Sequence, residues 1–417
     1  MTGREKLKKA LNHQDGPIPV DFGSSAVTGI HASVVAELRE YYGLEKKPVK
    51  IHEPFQMLGF VDADLREAIG IDVEGVFAPG TFFGFRNENW KEWRTPWGQD
   101  VLVPGGFEVI KDGEDTLIYP EGDREAPPSG RMPSNGYFFD AIIRQEPIVE
   151  ENLDPKDNLE EFGPISEDDL KYYSDLKRSI DQSSSGFIAN FGNTGLGDIA
   201  CVPAPFMKYP KGIRDVTEWY ISTVSRRDYI HTVFAEQMDI AIKNLAKIHG
   251  IFGDSIDVIF TCGTDFGTQS STFCSIDTFN DLYFPYYKQL NEWIHENTSW
   301  KIFKHSCGSV VSFMQRFIDA GFDIMNPVQL SAAGMDASML KNKYGDKVVF
   351  WGGCVDTQKT LPFGTPEEVK KEVLTRCEIF SQKGGFVLNS IHNVQAKTPV
   401  KNFAAMIEAV KEFNGDK

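Results

Sequence analysis

From about residue 180 onward, short apolar runs alternate with amphipathic helical stretches, and this alternation limits the possible folds more than any other feature of the chain. Six apolar runs predict strands, at residues 186–192, 257–263, 301–308, 322–329, 347–354 and 385–393. Each run is apolar almost throughout, which is typical of parallel strands that are covered on both faces. Strand–helix alternation on this scale predicts a parallel sheet, either doubly wound or closed into a barrel.

The segments between these runs carry clear signals for the beginning and the end of helices. Thr365 is placed to cap a helix that opens with Pro366, and Glu368 completes a capping box. Gly384 follows as a stop signal. Because no glycine motif of the dinucleotide-binding or P-loop type follows any predicted strand, we favour the barrel. The prediction is an α/β fold, a single (β/α)8 TIM barrel that spans residues 1–417.

Residues 82–165 interrupt this pattern. They are rich in aromatic, polar, proline and glycine residues, and long irregular segments inside compact domains are usually functional or disordered. We predict a β-hairpin followed by an irregular, lid-like excursion, inserted after an early strand at residues 69–77. This insertion is expected to pack near the mouth, which is the rim formed by the C-terminal ends of the barrel strands.

Composition and charge exclude several classes of function. The net charge of −17 and the sequence pI near 5.0 argue against nucleic acid and anionic membranes as partners, because both attract basic surfaces. The first residues predict an amphipathic helix with a capping box from Thr2 to Glu5 rather than a signal peptide. The six cysteines lack the spacing of a disulfide framework. We therefore expect a cytoplasmic protein with reduced thiols and leave open whether it forms a homodimer.

Polar side chains collect at the ends of five successive late strands. In chain order these ends carry Asp265 and Gln269, His305 and Cys307, Asn326 and Gln329, Cys354 and Asp356, and His392 and Asn393. In a parallel α/β barrel the C-terminal ends of the strands meet on one rim, where active sites are built. We therefore expect these residues to line one pocket. The alternative for Asp265, Asn326 and Asp356 is helix capping or hydrogen bonding within loops.

His305 and Cys307 suggest a metal site. Residues two apart on a strand point the same way, so both side chains can face the mouth. Together with one more distant ligand they would suit tetrahedral Zn²⁺ and leave a fourth position open, as in catalytic zinc sites. Two residues qualify as the third ligand, His392 and Cys354. The alternative is that His305 and Cys307 are packed residues at a strand end without a metal.

Five segments together resemble one protein family. They read TDFGTQ, HSCGS, AGFDIMNPVQ, FWGGCVDTQKTLPFGTPEEV and GGFVLNSIHNVQAKTPVKN. The combination resembles the uroporphyrinogen decarboxylase superfamily, and within it the branch of corrinoid-dependent methyltransferases and O-demethylases. The resemblance covers residues 250–415 most strongly, and the family fold it implies is a (β/α)8 barrel.

The resemblance also implies a ligand set. In the thiol-methylating relatives, zinc is held by His-x-Cys and by a Cys six residues before the Thr-Pro that opens the last helix. Here that dipeptide is Thr398–Pro399, and the residue six positions earlier is His392. The sequence thus has a His where those relatives have a Cys. With two neutral histidines and one thiolate, a zinc site would carry a net positive charge and be a stronger Lewis acid. Cys354 remains the fallback ligand.

The family suggests the reaction. Superfamily decarboxylases carry an Arg-rich motif near the N-terminus, whereas residues 17–25 here contain no Arg. We therefore expect transfer of a methyl group from a methoxylated, aromatic compound to the Co(I) corrinoid of a partner protein, because the chain has no corrinoid-binding motif of its own. Zinc or a protonated Asp265 would take the developing phenolate charge, with His305 and His392 also catalytic.

Five further residues are predicted to bind substrate, namely Gln269, Asn326, Gln329, Asp356 and Asn393. Three alternatives to the O-demethylase hypothesis stay open. The protein could be a methylcobamide:thiol methyltransferase, in which zinc activates the thiol acceptor as a thiolate. It could be a decarboxylase of the uroporphyrinogen type. It could also be a barrel that binds a small ligand without converting it, which a metal assay and mutants of the predicted catalytic residues would reveal.

Overall fold

The computed structural model describes residues 1–191 and 194–415. The strands within these residues are β1 (Val49–Glu53), β2 (Leu58–Gly59), β3 (Val73–Val76), β4 (Lys91–Arg94), β5 (Asp100–Val103), β6 (Val109–Asp112), β7 (Asp115–Ile118), β8 (Gly130–Met132), β9 (Asp140–Ala141), β10 (Gly186–Ala189), β11 (Val258–Cys262), β12 (Lys301–His305), β13 (Ile324–Asn326), β14 (Val349–Trp351) and β15 (Phe386–Val387).

The helices within the same residues are α1 (Gly3–Leu11), α2 (Ala32–Tyr41), α3 (Ala63–Ile69), α4 (Glu167–Ile180), α5 (Val216–Ser225), α6 (Arg227–Phe252), α7 (Ile276–Leu282), α8 (Phe284–Asn297), α9 (Met314–Asp319), α10 (Ala337–Tyr344), α11 (Thr360–Phe363), α12 (Pro366–Phe380) and α13 (Val400–Asn414). Short 3-10 turns lie at Pro120–Gly122, Glu150–Asn152, Pro155–Asn158 and Gly253–Ser255.

A curled sheet of seven parallel strands forms the centre of the fold, in the order β15-β14-β13-β12-β11-β10-β3. The predicted α/β class with a parallel sheet is confirmed. Each of the six late apolar runs and the early run at 69–77 contains one of these strands, although every strand is shorter than its run. Residue 192 of the first run lies outside the described residues.

Alternate residues of the late strands point to the inside of the curl. Phe303, Ile324, Trp351 and Val387 pack there in one buried cluster, which also contains Leu7 of α1. The residues between them pack outward against the helices in a second, larger core. This period of two carries through to the last residues of the strands, so it also decides which side chains face the mouth.

Residues 19–21 lie between the two edges of this sheet. The N–H of Leu388, just after β15, donates to Pro19, and Leu388 accepts from the N–H of Asp21. On the other side, Val20 accepts from the N–H of Asp72, just before β3. The segment therefore makes parallel-type contacts with one edge strand and is tied to the beginning of the other.

The insertion is more ordered than predicted. The expected hairpin is present, because β4 and β5 pair antiparallel and join β1 and β2 in a second sheet. Residues 109–141, however, form a third sheet, β6-β7-β8-β9, so the prediction of an irregular excursion was wrong there. Asp112 pairs with Asp115 across a two-residue turn, and Gly113 adopts φ 61°. Glycine at the first position of a two-residue turn is a hairpin signal, and Gly113 was the local clue to this sheet.

The helix signals hold at most positions. Capping boxes are formed at Thr2 and at Thr365, as predicted. The predicted helix after Ser275 is divided into α7 and α8, which meet at Tyr283, and Pro285 occupies the first turn of α8. Among the described residues, every helix is too short or too polar to cross a membrane.

Candidate functional site

Three predicted metal ligands meet at the mouth. His305 ends β12, Cys307 follows two residues later, and His392 follows β15. One nitrogen or sulfur atom from each lies within 4.8 Å of the others. The Cys307 Sγ is 3.4 Å from His305 Nε2, and the two imidazole rings have centroids 5.3 Å apart. The structure thus brings the His-x-Cys pair together with one of the two candidates for the third ligand.

Asn326 fixes the protonation state of His305. Its Nδ2 donates to the Trp351 carbonyl at 2.9 Å, so its Oδ1 is the atom that accepts from His305 Nδ1 at 2.6 Å. The imidazole proton therefore sits on Nδ1, and the lone pair of Nε2 is free toward Cys307. Burial lowers the pKa of His305 to about 4, which keeps the ring neutral. A neutral, oriented imidazole is the form that binds metals.

His392 has a different environment. Its Nδ1 accepts the N–H of Asn393 at 2.8 Å, which puts the proton of the neutral ring on Nε2. Burial, followed by the nearby His305, lowers the pKa of His392 to about 3. The ring can act as an N–H donor in this state, or as a metal ligand through Nδ1 once the Asn393 contact is released.

Cys307 completes the donor set. Burial raises the pKa of its thiol well above the usual value, and the negative charge of Asp265 adds to this effect. A bound divalent cation acts in the opposite direction and deprotonates a coordinating thiol. Two neutral histidines and one cysteine are a donor set that suits zinc, so the residues present fit the predicted metal.

Asp265 reaches the same cluster from the neighbouring strand end. Its Oδ1 accepts the N–H of Cys307 at 2.6 Å and lies 3.9 Å from His305 Nε2. Burial raises the pKa of Asp265, while the hydrogen bond from Cys307 and the charge of Lys304 oppose the rise. Asp265, the predicted acid, therefore lies next to both His305 and Cys307, because β11 and β12 are adjacent in the sheet.

Gln269 and Gln329 meet on the rim beside Cys307. The Oε1 of Gln329 accepts the N–H of Gly308 at 2.8 Å, and its Nε2 donates to Gln269 at 3.1 Å. Gln269 in turn donates to the Ser331 carbonyl. These amides connect the loops after β11, β12 and β13, so they hold the edge of the pocket in shape.

The other residues predicted to bind substrate have partners within the protein. Asn326 is fully buried beneath His305. Asn393 is buried and bonds to Gly29, Ala26 and Gln56. Asp356 accepts the N–H groups of Gln358 and Lys359, which is the loop-bonding role considered as its alternative.

Cys354, the fallback ligand, does not join the cluster. Its thiol lies 3.5 Å from the sulfur of Met406 in α13 and is fully buried in the outer core. Gly352 and Gly353 precede it with φ values of 94° and 82°. This left-handed turn, which favours glycine, redirects the chain so that the thiol points toward α13 rather than into the mouth.

Sequence reasoning missed Lys304. Its side chain is fully buried, and the ammonium donates to the carbonyls of Thr264 and His305 at 2.7 and 2.6 Å. It also lies 5.1 Å from the ring centre of Phe266. Lys304 therefore ties the end of β11 to the end of β12 and holds Asp265 close to His305. The available signal was a lysine in the interior of a predicted strand, directly before His305.

Asp198 was also missed. It lies in the loop after β10, and a side chain at Gly263 would come within 2.4 Å of its Oδ2. Burial raises the pKa of Asp198 to about 6, and the charge of Asp265 adds to this. A second carboxyl group thus borders the pocket near Asp265. Asp198 comes nine residues after the end of β10, farther from its strand than the residues predicted at the other strand ends. For this reason it was not recognised as part of the same series.

Comparison with known proteins agrees with the sequence motifs. Residues 214–413 match the family model described as Uroporphyrinogen decarboxylase (URO-D). The resemblance to this superfamily is confirmed. Curated uroporphyrinogen decarboxylases from Pseudoalteromonas translucida and Psychromonas ingrahamii are 32% and 29% identical over 94 and 80 residues. These matches cover 20% and 19% of this chain and 26% and 22% of those proteins, so about a quarter of each relative is spanned.

A solved structure covers the whole chain. The methyltransferase from Methanosarcina mazei superimposes with a TM-score of 0.54 at 14% sequence identity, and the match covers 99% of both chains. The likeness therefore includes the early half and the insertion, which the family model does not reach. At this identity it shows a common fold.

Proposed function

We propose that this protein is a methyltransferase that moves a methyl group from a methoxylated, aromatic compound to the Co(I) corrinoid of a partner protein. The observation that carries the proposal is the His305–Cys307–His392 cluster with Asp265 beside it. The similarity in fold to the methyltransferase from Methanosarcina mazei supports the same class of reaction.

The proposal includes a closed (β/α)8 barrel as the scaffold. Residues 19–21 bond to the chain after β15 and before β3, and they would be the eighth strand. A closed barrel brings all strand ends to one rim, so residues from β11, β12 and β15 can share a pocket. We also propose that residues 1–417 are a single domain with the insertion beside the mouth.

Zinc would be held by His305, Cys307 and His392. When bound, it supplies Lewis acidity that favours negative charge on the oxygen leaving the methyl group. Asp265 lies beside the same place, and burial raises its pKa, which favours the protonated form that a proton donor needs. Its proposed role is to donate that proton to the departing phenolate. Asn326 keeps His305 in the tautomer that leaves Nε2 free.

The insertion would provide the wall that receives an aromatic ring. Phe82 lies 4.7 Å from Phe55 and 6.3 Å from Phe206, measured between ring centres. Gln56, next to Phe55, bonds to Asn393, the neighbour of His392. This bond joins the segment that carries Phe55 to the residue next to His392. We propose that the aromatic group receives the ring of the substrate and that Gln269, Gln329 and Asn393 shape the pocket.

The test is methyl transfer by the purified protein under anaerobic conditions. A panel of methoxylated benzoates is incubated with free cob(I)alamin, and methylated cobalamin is followed by its absorbance. We expect about one zinc per chain, transfer when cob(I)alamin is present, and none from the chain alone. Demethylation without any corrinoid would contradict the proposal. Transfer from methylcobalamin to a thiol, with no activity on methoxylated compounds, would indicate the thiol methyltransferase instead.

A matched pair of variants tests the third ligand. His392→Cys restores the His/Cys/Cys set that the family resemblance implies, whereas His392→Ala leaves two ligands. We expect the Cys variant to keep zinc and the Ala variant to lose most of it, because tetrahedral sites of this type need three protein ligands. Full zinc content in His392→Ala would remove His392 from the ligand set and leave it as a proton donor.

A further inference from the structure

A groove of about 620 Å³ opens on the outer surface between α11 and α12. Phe363, Lys359 and Lys371 line it. The groove follows the C-terminal end of β14, so it lies at the same end of the sheet as the ligand cluster. None of its lining residues takes part in the proposed chemistry.

The side chain of Phe363 is exposed to solvent although its backbone is held in place by hydrogen bonds. Its side chain is 84% exposed, more than any other large hydrophobic residue that the structure describes. The buried Asn402 of α13 donates to the carbonyls of Leu361 and Gly364 at 2.8 and 2.9 Å, on either side of Phe363. A loose loop therefore does not explain this exposure. An apolar side chain presented in this way beside polar residues is typical of an interaction site.

The groove is positively charged although the chain carries a net charge of −17. Lys359 and Lys371 are exposed, and neither has an ion pair among the described residues. Two carboxylates and three basic side chains line the groove, which leaves its lining with a net positive charge: Glu368, Glu372, Lys359, Lys371 and Arg376. Glu368 closes the capping box with Thr365, and Glu372 lies 3.7 Å from Arg376. The groove thus offers a small net positive charge around an exposed aromatic ring, which suits an acidic partner.

We propose that this groove docks an acidic surface of the protein that carries the corrinoid. The inference rests on the proposed function. A corrinoid held by another protein has to be brought to the mouth, and a partner bound at α11 and α12 would sit beside it. A second copy of this chain fits the groove less well. In a symmetric dimer the groove would meet the same groove of the other copy, so like charges would face each other.

The test compares two methyl acceptors. Phe363→Ser and the double variant Lys359→Glu/Lys371→Glu are assayed with the Co(I) corrinoid protein that serves the wild type and, separately, with free cob(I)alamin. We expect KM for the corrinoid protein to rise about 10-fold or more, while the rate with free cob(I)alamin changes less than about 2-fold. Added salt should raise the wild-type KM for the corrinoid protein and affect the double variant less. Tyr209→Ser, which alters a 63% exposed aromatic outside the groove, is the control.

Each other outcome overturns the inference. If the variants lose activity equally with both acceptors, the substitutions disturb the pocket itself. If they lose activity with neither acceptor, nothing docks in the groove. A wild-type dimer that Phe363→Ser converts to a monomer, measured by sedimentation, would make a second copy the occupant. If the wild type methylates neither acceptor, the proposed function fails and the docking inference falls with it, so the two failures are distinguishable.

Discussion

The ends of β12 and β14 have similar sequences and different surroundings. Each strand is followed by a cysteine within three residues, Cys307 in one case and Cys354 in the other. Cys307 faces His305 at 3.4 Å, whereas Cys354 lies against Met406 in the outer core. The sequence analysis gave Cys307 as a metal ligand and Cys354 as the fallback ligand, and the structure brings only Cys307 to the described ligand cluster.

The difference lies in where the glycines stand. After β12, Gly308 with φ 86° comes after the cysteine, so Cys307 keeps the inward direction of the strand. After β14, two glycines with positive φ come before the cysteine and turn the chain outward first. A candidate ligand at a strand end is therefore best judged together with the turn that precedes it, since that turn sets the direction of the side chain.

The sharpest way to break this comparison is to remove each thiol in turn. Cys307→Ala should lose nearly all bound zinc and reduce methyl transfer by about 1,000-fold or more, because a ligand is missing. Cys354→Ala should keep one zinc per chain and cost about 1–3 kcal/mol in the free energy of unfolding, as buried truncations do. Zinc content by plasma emission and urea unfolding measure the two effects. Zinc loss in Cys354→Ala alone would reverse the assignment.

Two aspartates, one after β11 and one after β14, give a smaller contrast. Asp265→Asn keeps the shape of the side chain and removes its proton, so methyl transfer should slow by about 100- to 10,000-fold without loss of zinc. Asp356→Asn should change the rate less than about 3-fold, because Asp356 only bonds to the backbone of its own loop. Steady-state rates at saturating substrate decide between them. Near-normal turnover by Asp265→Asn would leave Asp265 as a structural residue that bonds to Cys307.

The smallest expected effect concerns Asp21, which bonds to the last residue of β14. Its Oδ2 accepts from Trp351 Nε1 at 2.9 Å, and burial raises the pKa of this carboxyl to about 6. A raised carboxyl pKa stabilises the protein at low pH, and this stability is lost as the pH rises through the folded-state value. Asp21→Asn does not ionise. Its free energy of unfolding relative to the wild type should therefore increase by about 1–2 kcal/mol between pH 5 and pH 8.

Denaturant unfolding of both proteins at several pH values measures this difference, with Asp15→Asn at an exposed position as the reference variant. A difference between Asp21→Asn and the wild type that does not change with pH would show that Asp21 keeps the same protonation state throughout. The hydrogen bond between Asp21 and Trp351 would then not depend on pH in this range.

Much of the site was predictable from local sequence. The spacing of two between His305 and Cys307 places both on one face of a strand, and the family resemblance pointed to His392, six residues before Thr398. The capping signals at Thr2 and Thr365 were equally local and are present. By contrast, the hairpin signal at Gly113 was overlooked, because that part of the insertion was predicted to be irregular.

The sequence by itself determined the parallel strands, most helix ends and the residue types gathered at the mouth, because strand periodicity and capping depend on neighbours within a few positions. Only the tertiary structure decided which of those residues meet. The tautomer of His305 depends on Asn326 and Trp351, the place of Asp265 depends on the buried Lys304, and Cys354 was turned away toward α13. Each of these outcomes rests on contacts between distant parts of the chain, which no local pattern records.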